Sequence, residues 1–453
     1  MAKKSGDDMN KLIEVKEFDT LIGNEEYKDK YTYVDGDTFA DLIEFIHAFD
    51  SDSEESDVLD FIKIGYRRNI GETVTFKNYV GLIQMKNNCQ IQVLPKIEFL
   101  NGEQDDTKKV FMRMLLSMKD FPSKVFSNAN LKMDRMNLYE IFINMYLQEV
   151  RQLVKHGIKS SYVGVEDNLN FYKGKLLVNE HIKRNMVHQE RFYVGYDEYQ
   201  VNRPENRLVK STLLKLQSIT TSAENSKVIR QLLTSFELVS FSANYDKDFS
   251  RVFIDRNTKD YEILMQWSRV FLKNKSFTTF SGTESARALL FPMEKVFESY
   301  VAQIMKKVFA KYHWDVSAQD LGYYLFNKIN GENHRKFALR PDLVVIRDDK
   351  SVVVLDTKWK SLINDKRKNY GISQADMYQM YAYSKKYETS EVWLLYPVNS
   401  EMKEQEIITF DSGDGATVSL YFVDVANIEK SMEMLYEKLK NYRVKNNEGD
   451  ECI

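Results

Sequence analysis

The sequence predicts an α/β protein, in which a mixed β/α N-terminal region precedes a C-terminal α/β domain with a mixed central sheet. Three observations carry this reading. Segments with helical spacing of apolar residues alternate with short β-branched and aromatic runs. Ser351-Val352-Val353-Val354-Leu355 is a continuous apolar run of the kind buried on both faces of a sheet. The last third reads helix, hairpin, helix, strands, helix, which is a sensible order for one α/β domain.

A length of 453 residues leaves room for two or three domains, each able to bury a core. Glycine (18) and proline (6) are too scarce for collagen-like or low-complexity architecture. The net charge of −3 removes any whole-chain basic signature, so contact with nucleic acid has to come from local patches or from a partner. The two cysteines, Cys89 and Cys452, support neither a disulfide framework nor a four-cysteine zinc site. The histidines (His47, His156, His181, His188, His313 and His334) lack metal-ligand spacing, which argues against a zinc or histidine-based centre. The first residues lack the apolar core of a secretory signal, and no apolar run approaches the roughly 20 residues that span a bilayer. A reducing cytoplasm is the expected location, with no membrane attachment.

Along the chain, residues 1–30 are polar and read as loosely ordered, and 38–49 as a short helix. The acidic tract 50–57 reads as an exposed loop or as a surface for a basic partner; it would repel phosphate. Residues 59–99 are β-rich, with strands at Val74–Phe76, Tyr79–Met85 and Ile91–Ile97. Helices are expected over 108–119, 137–156, 204–219, 225–236 and 258–272, with strand-like pieces between 161 and 201. The polar stretch 273–283 marks a boundary. Three segments follow: a β-rich N-terminal domain (1–120), a mostly helical middle region (121–275) and a C-terminal domain (284–453). The strongest expected helix covers 286–312. After it come strands at Leu339–Ile346 and Ser351–Lys358, a helix at 374–387, strands near 392–396, 407–410 and 418–423, and a final helix over 425–442.

The chemistry concentrates in Arg340-Pro341-Asp342 and, thirteen residues on, Asp356-Thr357-Lys358. A turn centred at Asp348-Asp349 makes facing positions sum to about 697, and Asp342 with Asp356 sums to 698. The two carboxylates are therefore expected opposite, or nearly opposite, on paired strands, with Cβ atoms roughly 5 Å apart. Lys358 falls on the face of Asp356. Two carboxylates at that separation repel each other, and at the end of a buried strand they are costly unless a cation meets them. Mg2+ takes such oxygen ligands, and the Thr357 carbonyl adds another. Phosphodiester hydrolysis suits the trio, with Lys358 orienting water or stabilising developing negative charge. The alternative is an ordinary hairpin whose strand-end charges form a surface salt bridge. Glu298, on the preceding helix, is a further candidate for the same metal and is preferred over Glu294, although a glutamate at the helix edge in water fits the same pattern. Gln379 and Tyr383 lie four apart on one helical face, joined by Asp376, and are placed to meet the lysine or a DNA backbone, or to form a solvated face. Lys358, Lys360, Lys366, Arg367 and Lys368 form a local basic run.

These motifs resemble the PD-(D/E)xK nuclease superfamily, and Gln379 with Tyr383 resembles its RecB-like branch. The chain as a whole resembles the McrC family, the nuclease subunits of McrBC-type modification-dependent restriction systems. The supporting segments are Gly81–Gln84 with Ile91–Ile97, then Tyr172–Leu176, Tyr196–Tyr199 and Pro204–Lys210, and Met293–Tyr300. Lys173 and Lys175 stand where the family often has an arginine. The resemblance implies a restriction-endonuclease-like C-terminal domain with Asp342, Asp356, Lys358, Glu298, Gln379 and Tyr383 as the catalytic set. It implies Mg2+ held by Asp342, Asp356, Thr357 and Glu298. It also implies a McrB-like AAA+ GTPase ring as partner, docked through the N-terminal region, and double-stranded DNA with modified cytosine as substrate. The absence of G-x-x-x-x-G-K-[ST] agrees with nucleotide hydrolysis lying in a partner. Two other functions remain compatible with the residues: a stand-alone RecB-like nuclease, and an inert adaptor that activates an NTPase ring.

Overall fold

The computed structural model describes residues 12–52, 62–85, 87, 89–97, 107–118, 121, 137–273, 286–328, 334–402 and 407–449. The described residues of Phe126–Leu289 form one compact unit, and those of Lys11–Val125 and Leu290–Ile453 form another. Among the described residues no helix is long and apolar enough to cross a membrane.

The first of these units holds the helices Leu138–His156, Pro204–Ile219, Ala223–Ser235 and Glu262–Lys273. Glu140 is buried in it and is satisfied by Thr220 Oγ1 (2.7 Å), Thr221 N (2.6 Å) and Asn225 Nδ2 (2.8 Å). A three-stranded sheet carries Ser161–Leu169, Phe192–Gln200 and Lys175–Leu176. Gly174 has φ +69°, and a Cβ there would run into the Gly195 carbonyl, so the close approach of the two segments requires glycine.

The other unit is built on a six-stranded mixed sheet in the order Asp315–Ala318, Leu343–Ile346, Val352–Thr357, Glu391–Pro397, Thr417–Val423, Thr409–Asp411. The Val352–Thr357 strand pairs antiparallel to Leu343–Ile346 and parallel to Glu391–Pro397. On one face Val344, Val354, Val392, Leu394 and Leu420 pack with Met380, Tyr383 and Tyr387 of the helix Gln374–Tyr387. Alternate residues face the other way, where the helices Met293–Phe309 and Ile428–Gly449 pack together, with Phe309 and Tyr436 rings 5.8 Å apart. Arg347 and Glu391 form a buried ion pair at 2.6 Å, and the same guanidinium donates to the Leu439 carbonyl. The N-terminal part adds a sheet in the order Leu12–Lys16, Gln90–Leu94, Tyr79–Met85, Ala286–Pro292. A second sheet joins Thr32–Tyr33, Thr20–Ile22, Gly71–Phe76 and Ile62–Arg67.

Several expectations need correction. Residues 12–16 and 20–22 are strands rather than loose chain. Ile13 and Val15 alternate with exposed polar residues and pair in parallel with 90–94, a partner far away in sequence. The segment expected as one helix from 286 to 312 is a strand over Ala286–Pro292 and a helix over Met293–Phe309. Pro292 takes the N-cap, where its missing N–H costs nothing. Residues 53–57 of the acidic tract and 274–283 of the boundary stretch lie outside the described residues.

Candidate active site

The hairpin register decides the site. Leu343 faces Leu355 and Ile346 faces Val352, so facing positions sum to 698 and the turn centres on Asp349. Asp342 immediately precedes Leu343, and the same register sets it opposite Asp356. Asp356 shares the face of Val354, toward the Gln374–Tyr387 helix.

Two hydrogen bonds fasten Asp342 to the end of its neighbouring strand. Thr357 N donates to Asp342 Oδ2 at 2.7 Å, and Thr357 Oγ1 donates to the same oxygen at 2.6 Å. The main-chain oxygen of Asp342 accepts from Gln319 N at 2.9 Å. Asp356 is 1% exposed. Its Oδ2 lies 2.7 Å from Lys358 Nζ, but no donor is aligned on it for a hydrogen bond. Lys358 Nζ also lies 3.8 Å from Asp376 Oδ1 and donates to Gln379 Oε1 at 3.3 Å. Gln379 Nε2 in turn donates to the Tyr383 hydroxyl at 2.7 Å. Ser373 caps the helix that carries these groups, accepting from Asp376 N. Lys358 N donates to Leu395 O, which prolongs the strand pairing up to the lysine.

The electrostatics follow from burial. Burial, and then the Asp342 charge, push Asp356 up to about 7, against the pull of Lys358. Asp342 also sits above the usual carboxylate range because of burial, with the Thr357 hydrogen bonds opposing. Burial pulls Lys358 down, but the Asp356 carboxylate 2.7 Å away outweighs it and holds the ammonium above its ordinary value. Burial and the charge of Asp356 raise the Tyr383 phenol. Burial and the charges of Asp376 and Asp356 raise Tyr396, whose hydroxyl has no partner among the described residues. The carboxylates of Asp342 and Asp356 thus share a single ammonium, that of Lys358.

The donor chemistry fits a hard divalent cation. The oxygens of Asp342 and Asp356 and the Thr357 carbonyl are the ligand types Mg2+ takes, and no thiolate or imidazole is among them. Among the described residues, no group of three or more His, Cys, Asp or Glu side chains is gathered for a metal. Glu298 reaches the site indirectly: its Oε1 accepts from Gln319 Nε2 at 2.9 Å, and Gln319 bonds the Asp342 main chain. Glu294 instead accepts from Asn78 Nδ2 at 3.3 Å. Sequence reasoning did not single out Gln319; it follows a strand end with φ +52° and carries no motif signal. Part of the expected basic run is spent locally, because Lys360 Nζ donates to Gly371 O and Lys368 pairs with Asp365. Lys366 and Arg367 are exposed.

Fold and site together define a mixed α/β protein with a facing aspartate pair, one member of it buried, and a lysine at the end of its central sheet. The chain belongs to the McrBC 5-methylcytosine restriction system component family, whose model matches residues 74–397. Its fold is similar to that of McrC in the refined half-complex from the tetradecameric assembly of Thermococcus gammatolerans McrB AAA+ hexamers with bound McrC. That match has 20% identity and a TM-score of 0.67, and covers 95% of this chain and 100% of that chain. The cryo-EM structure of the Thermococcus gammatolerans McrBC complex also matches, at 23% identity and a TM-score of 0.46, over 66% of this chain and 89% of that chain. No curated protein sequence matches the chain.

Proposed function

We propose that the chain is a Mg2+-dependent DNA endonuclease subunit with a PD-(D/E)xK-type site. In this reading it works with a McrB-like AAA+ GTPase ring on double-stranded DNA carrying modified cytosine. The observation that carries the chemistry is the facing of Asp342 and Asp356 beside Lys358. Asp342, Asp356 and the Thr357 carbonyl would hold the cation, which supplies charge neutralisation and lowers the pKa of water.

The chain's own groups do the rest. Lys358 keeps its proton, because Asp356 faces it, and presents positive charge where an attacked phosphate gains negative charge. Gln379 holds the ammonium by its oxygen and is itself held by Tyr383, so the lysine has one preferred position. Asp376 adds a second carboxylate near the same ammonium. Support for a protein partner comes from the family and from exposed apolar residues on the three-stranded sheet and just past the end of the helix Val178–Asn185, among them Tyr162 (74% exposed), Met186 (72%) and Val187 (85%).

The test is cleavage of methylated and unmethylated plasmid by the purified chain with Mg2+, with and without its AAA+ partner and GTP, alongside Asp356→Ala. Cutting that needs partner, nucleotide and Asp356 supports the reading. Cutting by the chain alone assigns it to stand-alone nucleases, and partner GTPase stimulation without any cutting assigns it to inert adaptors.

A further inference from the structure

We propose that the two-stranded ribbon formed by Tyr324–Lys328 and His334–Ala338 engages the DNA groove beside the carboxylate pair, with Phe326 and Phe337 touching bases or sugars and Arg335 and Lys336 meeting phosphates. This rests on the DNA reading above and adds a substrate-binding element to it.

The ribbon is a sheet of its own, with Phe326 facing Lys336 and Tyr324 facing Ala338. Phe326 is 61% and Phe337 72% exposed, and their rings meet edge-on with centroids 6.2 Å apart. Single exposed aromatics are ordinary, but an exposed pair on a basic ribbon is not what a solvated surface requires. Phe337 has φ +59°, a conformation that costs a bulky residue energy, and it brings the ring beside Phe326. Between 321 and 341 the sequence carries Lys328, Arg335, Lys336 and Arg340 against Glu332, in a chain whose net charge is −3. The Arg335 guanidinium lies over the Tyr324 ring at 5.6 Å. A two-stranded ribbon fits a DNA major groove, and exposed rings with cationic neighbours are the chemistry that grips bases and phosphates.

The base of the ribbon is tied to the site. Leu339 N donates to Tyr323 O at 2.9 Å, and the Tyr323 ring lies 4.3 Å from that of Tyr387. The Tyr387 hydroxyl donates to Asp320 Oδ2 at 2.6 Å. Tyr387 stands on the same helix as Gln379 and Tyr383. Phe337 and Asp342 are five positions apart in the chain, a reach of at most about 18 Å. DNA with a phosphate at the carboxylates therefore passes within range of the ribbon.

The experiment measures anisotropy of a labelled short duplex bound to the full chain assembled with its AAA+ partner, over a salt series. The variants are Phe326→Ala with Phe337→Ala, and Arg335→Ala with Lys336→Ala. All four side chains are exposed, and unfolding midpoints equal to wild type show that each variant folds. The aromatic pair is expected to weaken binding roughly tenfold at unchanged salt slope. The basic pair is expected to weaken it and lower the slope of log K against log salt by about two. Wild-type affinity and slope in both variants would overturn the assignment. Loss of assembly at unchanged duplex affinity would also overturn it, and would give the ribbon to the protein partner. Wild-type binding without cleavage defeats the nuclease reading and leaves the ribbon standing; ribbon-dependent cutting supports both.

Discussion

Glu17 and Trp359, 342 positions apart in sequence, meet in a buried hydrogen bond: the indole Nε1 lies 3.1 Å from Glu17 Oε2 and 3.2 Å from Oε1. Lys96 N donates to Oε2 as well, at 3.1 Å. Trp359 directly follows Lys358, and its ring packs on Phe297 with centroids 5.4 Å apart. The N-terminal strand therefore grips the chain one residue beyond the lysine.

That glutamate makes stability depend on pH. Burial pushes Glu17 up to about 7 from 4.5, with the Lys96 and Trp359 hydrogen bonds opposing. A raised folded-state pKa means the stabilising contribution is complete below about 4.5 and is lost as pH rises through about 7. The amount at stake is roughly 3 kcal/mol. The thermal unfolding midpoint of the wild type, minus that of Glu17→Gln, is expected to fall between about pH 3.5 and 8 (about one unit beyond each end of the titration). A constant difference across that range would show that Glu17 does not titrate there.

Metal binding should release a proton. At neutral pH the Asp342–Asp356 pair holds part of a proton, because burial and mutual repulsion push Asp356 up to about 7. A divalent cation needs both carboxylates ionised. Mg2+ affinity should therefore drop as pH falls below about 7. Calorimetry in buffers of different ionisation enthalpy reads the released proton directly. Asp356→Asn should abolish both the binding and the release, and an identical heat in all buffers would refute the linkage.

Lys358→Ala should lower cleavage about 10²–10³-fold, the usual effect of removing one preorganised charge at a reacting oxyanion. Assembly with the AAA+ partner should persist, since no partner role is assigned to the lysine. Loss of the complex in size-exclusion chromatography of this variant would contradict the separation of the two roles.

Gln379→Leu removes the link between Lys358 and the Tyr383 hydroxyl, which is buried. It should cost about 1 kcal/mol of stability, the net worth of one buried hydrogen bond, because the Arg340 main chain still meets the Tyr383 hydroxyl, and it should also slow cleavage by releasing the Lys358 ammonium. Tyr383→Phe leaves the Lys358–Gln379 hydrogen bond in place and should slow cleavage less. Equal losses of cleavage rate in the two variants would show that the direct Gln379 contact to the lysine is not what matters.

Much of the site was legible in the sequence because it is local. The hairpin needs only a short turn, so two strands of matching apolar character set the register, and a period of two then fixes which side chains share a face. Asp342, Asp356 and Lys358 came together on those grounds, and helical spacing alone put Gln379 next to Tyr383. Strand Ala286–Pro292 was misread because Leu289, Leu290 and Phe291 are all buried, and a short run of that kind has no period to separate strand from helix.

By itself, then, the sequence determined the facing of the carboxylate pair and its lysine, since a single hairpin joins them, and the neighbouring of Gln379 and Tyr383, since one helical turn does; that Gln379 meets Lys358 was decided by the tertiary structure. Only the tertiary structure decided that Leu12–Lys16 is a strand, that Glu17 reaches Trp359, and that Gln319 stands between Glu298 and Asp342. Only it placed Glu391–Pro397 in parallel along the other edge of the strand bearing Asp356. Such contacts join residues far apart along the chain, where burial and hydrogen-bond satisfaction choose the partner, and neither leaves a periodic trace in the order of amino acids.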